Sequence, residues 1–162
     1  MTLETTPLTI AAGAGIVSTA LAAGIGISLT FFGTHTILHG GAPTDVMLRQ
    51  WRFQFGRGRA LMPGLGALNG ANLALVAYHR WSRGLEWRGF AACSVSTFFI
   101  IPFTVAFILG INDKLCAAVE GRTKMSEDTA RGLIKSWGDY NIYRAVVPAV
   151  GAALAMWNFS IS

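Results

Sequence analysis

The sequence predicts an all-α membrane protein: an antiparallel bundle of four transmembrane helices, with short amphipathic helices in the first and third loops. Three observations carry this. The 162 residues are 52% hydrophobic and 13% charged, with a mean hydropathy of +0.48, whereas a soluble domain carries about 25% charged residues. Four apolar stretches, at about 8–38, 60–79, 88–112 and 139–160, each reach the roughly 20 residues that cross a bilayer at about 1.5 Å rise per residue. The connections between them are short and hold no repeat or low-complexity linker, so the whole chain, 1–162, reads as a single up-and-down domain.

The first span, from Leu8, is apolar or small throughout, and its glycines (Gly13, Gly15, Gly24, Gly26) permit close helix contact in lipid. Met1 to Pro7 lacks the basic start of a signal peptide, so this span is expected to be retained. Gly40 to Pro43 breaks the chain, and Thr44 followed by Asp45 has the pattern of a helix N-cap with an acid in the first turn. The segment that follows sets Arg49, Arg52, Arg57 and Arg59 among Trp51, Phe53 and Phe55. It reads as an interfacial helix whose arginines snorkel to head groups, or as a substrate-access element.

The second span opens with Pro63 in its first turn, where proline is tolerated. Asn69 and Asn72 in this span suit hydrogen bonds between helices. In the third, Pro102 kinks the helix or frees a carbonyl, Thr97 and Thr104 share a face, and Asn112 and Asp113 close the span. Ser126 before Glu127 and Asp128 suits an N-cap for a helix running toward Trp137, which leads into the fourth span.

Lys and Arg number none before the first span, four in the first loop, three in the second, five in the third and none after the fourth span. The first and third loops are therefore expected in the cytosol. The net charge of +5 lies in the connections, the pattern of membrane topology, so a lipid bilayer and no nucleic acid is the expected partner. Cys93 and Cys116 form no CxxC pair and read as small apolar residues.

Chemistry concentrates in WGDYNIYRAVVP, Trp137 to Pro148. Spacings of four, seven and eleven put Trp137, Asn141, Arg144 and Pro148 on one helical face. A charge inside an apolar span is costly and usually faces the bundle interior or a water-filled cavity, where it marks function. On the expected topology this face meets His35 and His39, Asn112 and the arginine-rich segment at the cytosolic end, whereas His79 falls at the other. His35 and His39 have the i, i+4 spacing of metal ligands, but no HExxH or third ligand accompanies them, and no dinucleotide or P-loop fingerprint is present. What remains is a histidine able to move a proton, an arginine always charged, and aromatic walls.

The residues LRQW at Leu48–Trp51, Gly56, Pro63, PFT at Pro102–Thr104, Asn112 with Leu115, and Trp137, Asn141, Arg144 and Pro148 carry a resemblance. In order and spacing they resemble the small integral-membrane anthrone oxygenases of fungal aromatic polyketide pathways, from about Leu48 to Trp157. The resemblance implies oxidation of an anthrone to an anthraquinone by molecular oxygen, without metal, flavin or nicotinamide. It also implies an endoplasmic reticulum membrane if the source is fungal.

The residues suit that chemistry. An anthrone has an acidic methylene opposite its ketone, and the enolate formed from it can reduce dioxygen. Arg144 is expected to hold the oxyanion, Asn141 and Asn112 to orient the ketone or a phenol, and His39 or His35 to take the proton. Trp137 and Trp51 are expected to stack on the rings, with Arg49, Thr104 and Tyr143 as further substrate contacts. The competing expectation is a carrier that binds a hydrophobic aromatic intermediate without chemistry. A homo-oligomer remains open in either case.

Overall fold

The structure, a computed structural model, describes residues 7–160. The ends of the domain expected over 1–162 lie outside the described residues. Four helices fill the rest: α1 (Pro7–His39), α2 (Thr44–Ser82), α3 (Arg88–Val119) and α4 (Glu127–Ser160), each long and apolar enough to cross a membrane. No strand forms among the described residues.

The helices start and stop for local reasons. Pro43, in an extended conformation, is the residue before α2, and its carbonyl accepts the amides of Val46 and Met47 at 3.0 Å. Thr44 is thus the first helical residue and not the cap, while Asp45 does sit in the first turn. Ser126 does cap α4, its hydroxyl accepting the amide of Thr129 at 3.3 Å. Gly84 and Gly121, at φ +70° and +72°, end α2 and α3. There Leu85 N bonds back to Arg80 O and Arg122 N to Ala117 O, both at 2.9 Å, a closure that needs the left-handed conformation.

Two boundaries differ from the sequence expectation. The amphipathic segments of the first and third loops are not separate short helices, because α2 and α4 run through them without a break. Nothing between Asp45 and Ala60 stops a helix, and the arginines at its polar end need no break to reach solvent. Pro63 consequently lies inside α2 and not in its first turn. Likewise α3 continues past Asn112 and Asp113 to Val119.

Hydrogen bonds between neighbours fix the packing. Asn72 Nδ2 donates to Ala11 O at 2.9 Å and Asn69 Nδ2 to Gly15 O at 3.2 Å, so both asparagines tie α2 to α1. Thr30 Oγ1 donates to Gly138 O at 3.0 Å and Arg131 to Leu38 O at 2.5 Å, joining α1 to α4. Arg52 donates to Cys116 Sγ at 2.9 Å and Ser94 Oγ to Gly70 O at 2.8 Å, joining α2 to α3. Gly89 N donates to Asn158, joining α3 to α4. Residue numbers rise along one helix as they fall along its partner in the three pairs with two such bonds, α1 with α2, α1 with α4 and α2 with α3, so these neighbours run in opposite directions.

Small residues allow the close approaches. A Cβ on Gly15 would stand 2.7 Å from the Leu73 side chain, one on Gly26 2.9 Å from Ala145 Cβ, and one on Gly151 2.9 Å from Cys93 Cα. Gly13 and Gly24 point away from any neighbour. Only half of the glycines expected to pack in α1 therefore do so.

The hydrophobic core is divided. One cluster, with Ile16, Leu73, Phe90, Cys93 and Ala155, fills the end nearer the second loop. The other, with Met47, Trp51, Leu115, Ile134 and Trp137, fills the end nearer the first and third loops. Between them lies a waist. No residue of α2 between Trp51 and Gly70 is buried, and none of α3 between Thr97 and Ile108. Both α1 and α3 widen into a π-helical turn beside the second cluster, at Leu29–Thr34 and Thr104–Ile108. In α3 the widening follows Pro102, which has no amide to give the carbonyl of Phe98.

Gly151→Ala should lower stability by about 1–3 kcal/mol, because its Cβ meets the α3 backbone. Gly24→Ala should be neutral or raise stability by up to about 1 kcal/mol. Thermal unfolding of the two variants in one detergent checks the contrast.

Candidate functional site

Arg144 sits at the waist. On α4 it lies between Trp137, which belongs to one core cluster, and Gly151, which packs on Cys93 near the other. Its side chain is partly buried, and its Nε is enclosed with no hydrogen-bond partner. None of the ion pairs among the described residues includes it. A guanidinium without a counter-charge in an apolar bundle is a costly arrangement of the kind that marks a functional position.

One turn away, Asn141 is buried and donates one amide hydrogen to Trp137 O at 2.7 Å, which holds its head group against its own helix. Asn112 of α3 is also buried, and its Oδ1 has no partner. Trp51 is wholly enclosed, and its Nε1 likewise lacks a partner. Asn112 stands one turn from Cys116, which Arg52 contacts, so Trp51 and Asn112 share one level of the bundle. Trp137 meets Trp51 edge to face at 6.1 Å. Trp51 and Trp137 thus meet in the second cluster, Asn112 lies buried on α3 nearby, and Asn141 and Arg144 follow one and two turns further along α4 toward the waist.

The indole of Trp51 is not free to receive a ligand ring. It is stacked on Phe55 at 5.0 Å, only 7° from parallel. The stacking expected of Trp51 is therefore taken up inside the protein, and what it leaves unpaired is its enclosed N–H.

Other expected contacts fall away from this place. His35 and His39 are exposed, stack on each other at 5.0 Å, and face outward from α1. Arg49 is exposed and paired with Asp45 at 2.7 Å. Tyr143 lies on the outer side of α4, 6.5 Å from the Phe103 ring. Thr104 lies in the π-helical turn of α3 and donates to Ile100 O at 2.7 Å. Among the described residues no three of His, Cys, Asp and Glu converge as metal ligands.

Two features were missed by reading the sequence. Phe103 heads an aromatic wall with Phe107 and Tyr140, at 4.9 and 6.1 Å, on the α3 side of Arg144. Gln54 has an enclosed Oε1 without a partner and presses on Gly33, beside a groove of about 630 Å³ between α1 and α2. Its position three residues after Trp51 in an arginine-rich segment gave it the look of a surface residue.

A family model described as anthrone oxygenase matches residues 51–154. That interval contains Trp51, Asn112, Trp137, Asn141 and Arg144, while His35, His39 and Arg49 precede it. Monooxygenase hypC of Dothistroma septosporum is 36% identical over 113 residues, 68% of this chain and 61% of that protein. The noranthrone monooxygenase of Aspergillus flavus is 26% identical over 114 residues, 68% of this chain and 54% of its own. Anthrone oxygenase AgnL2 of Paecilomyces divaricatus is 25% identical over an alignment of 165, covering 93% of this chain and 98% of its own. The match thus takes in between about half and three fifths of the first two relatives. No solved structure matches.

Arg144→Met keeps the length of the side chain and removes the unpaired charge. It should raise the thermal stability of the ligand-free protein by about 1–3 kcal/mol, the usual cost of an enclosed donor left unpaired. An unchanged or lower unfolding temperature would mean that the guanidinium is satisfied.

Proposed function

Because the chain belongs to the anthrone oxygenase family, we propose that it oxidises an anthrone to the anthraquinone with molecular oxygen, at the waist around Arg144. The observation that carries this reading is the partnerless guanidinium at mid-bundle, beside an aromatic wall and inside the family-matched interval.

The chemistry asks little of the protein beyond electrostatics. Loss of a proton from the methylene of an anthrone leaves its electrons delocalised onto the ketone oxygen. A fixed cation at that oxygen stabilises the enolate and the transition state leading to it. The enolate passes an electron to dioxygen, the carbon–oxygen bond forms, and protonation gives a hydroperoxide at the former methylene carbon. Loss of water from that carbon gives the second ketone, so one O2 is consumed and one H2O released for each CH2 converted to C=O. The substrate supplies both electron pairs, and in this reading no metal, flavin or nicotinamide takes part.

The residues then divide the work. Arg144 holds the developing oxyanion. Asn141 and Asn112 present amide groups to the ketone or to a ring hydroxyl, and Trp51 N–H offers a further donor. Phe103 and Tyr140 form an apolar wall for the rings. His35 and His39, stacked on the outer face of α1, have no place beside the oxyanion. The proton therefore passes to water and is returned at the hydroperoxide step, its loss favoured by the charge of Arg144, which raises the acidity of the substrate. The count of basic residues puts the first and third loops on the cytosolic side, and with them the end of the bundle that holds Trp51 and Trp137. In a fungal cell the endoplasmic reticulum membrane is the expected setting.

Arg144→Met, purified and assayed under air for quinone formation, should lose about a hundredfold to a thousandfold in kcat, as for removal of an oxyanion donor. Full activity would overturn the oxyanion role. Replacing His35 and His39 together by Gln should leave kcat/KM within about twofold. A loss of about a hundredfold or more, the scale of general-base assistance, would return the proton transfer to the histidines.

A further inference from the structure

At the waist α2 and α3 part. Hydrogen bonds tie them at Arg52 with Cys116 toward the first loop, and at Ser94 with Gly70 toward the second, about five turns further along α2. Between these ties the Cα atoms of Thr104–Ile108 stay more than 8 Å from every Cα of α2. Residues that should face the partner helix are instead exposed. Ile101 follows the buried Ser94 by seven positions, on the same face of α3, yet is 59% exposed. Arg59 follows Arg52 by seven on α2 and is also exposed.

The inner face of α2 shows what this opening contains. At 100° per residue Gly58, Met62 and Gly66 lie in line with the buried Trp51 and Leu73, so they point into the bundle. A Cβ on Gly58 or Gly66 would nevertheless meet nothing within 4 Å. An inward-facing glycine normally marks tight packing, as Gly70 does against Phe98, whereas these two face empty space. Three polar atoms here lack partners: Asn112 Oδ1 and Trp51 Nε1, on side chains more than nine-tenths buried, toward the first-loop end of the opening, and Arg144 Nε further along the bundle.

We propose that the gap between α2 and α3 is a lateral window through which a flat apolar molecule bearing an acidic or anionic oxygen enters from the bilayer. Its rings lie against Gly58 and Gly66, and its oxygen meets Arg144. A lipid tail would fill the space but leave the guanidinium unpaired. A second copy of this chain would offer the exposed leucines of α2 and no anion. Charge complementarity thus selects the oxygen-bearing ring molecule. The identity of that molecule as an anthrone rests on the function proposed above, while the window itself does not.

The test uses the full chain in lipid nanodiscs. Gly58→Leu and Gly66→Leu place a side chain in the window, Ile101→Trp narrows its opposite edge, and Gly64→Leu on the outer face of the same helix is the control. The three window variants should keep the wild-type unfolding temperature and lose about tenfold to a hundredfold in kcat/KM for anthrone, mainly through KM, with the control within about twofold. Since Ile101 is exposed, its variant keeps the test valid if a leucine on α2 prevents folding. Folded window variants with unchanged kcat/KM overturn the proposal. If the wild type oxidises no anthrone, the functional reading fails, and the window is judged by quenching of tryptophan fluorescence with 1-hydroxyanthraquinone. Quenching lost in Gly66→Leu and kept in Gly64→Leu supports it, and equal quenching overturns it. A wild-type dimer that Gly66→Leu dissociates would make the window an interface between copies and would also overturn it.

Discussion

The guanidinium of Arg144 stands midway along a helix long and apolar enough to cross a membrane, and its lack of a partner is the condition around which the bundle is arranged. In a bilayer every polar group has to be answered from within the protein. The hydroxyls and amides of the other spans obey this closely. Asn69, Asn72, Thr30 and Ser94 each bond to the backbone of a neighbouring helix, and Thr97 and Thr104 return to their own. Arg144 is an exception at mid-height, and Trp51, Gln54 and Asn112 are others nearer the first loop.

That exception accounts for the division of the core. A continuous column of apolar side chains from end to end would bury the cation without compensation. The bundle instead closes tightly at both ends, one through Phe90 and Leu73, the other through Trp51 and Trp137, and leaves the middle thinly packed. The ties that hold the ends are strong enough for this. Glycines at the α1–α4 and α3–α4 contacts let backbones approach so closely that a single methyl group would collide. Stability is thereby concentrated away from the site, the usual compromise where function needs an unsatisfied group.

The same arrangement suits a substrate that dissolves in lipid better than in water. An oxidation driven by the electrons of an enolate needs a cation fixed in advance in a dry place, and water would weaken that field. A waist flanked by Phe103, Phe107 and Tyr140 would supply both conditions if the proposed window opens to lipid. It also explains why an imidazole beside the cation is dispensable in this reading. The charge that stabilises the enolate also acidifies the methylene from which it forms.

Much of this was written in the sequence. Four apolar runs of bilayer length, the glycines of α1, the cap at Ser126 and the alignment of Trp137, Asn141 and Arg144 on one face follow from composition and helical period, because each depends on residues near one another in the chain. The order of small motifs from Leu48 onward also pointed to the family. What periodicity cannot report is the distance between two helices at a given height. The parting of α2 from α3 beside Gly58 and Gly66, and the turn of α1 that leaves His35 and His39 outside the bundle, are outcomes of packing between segments far apart in sequence, whereas the stacking of Trp51 on Phe55 is an i, i+4 contact within one helix. An inward-facing glycine looks the same on paper whether a neighbouring helix presses against it or nothing does, and only the tertiary structure decides which.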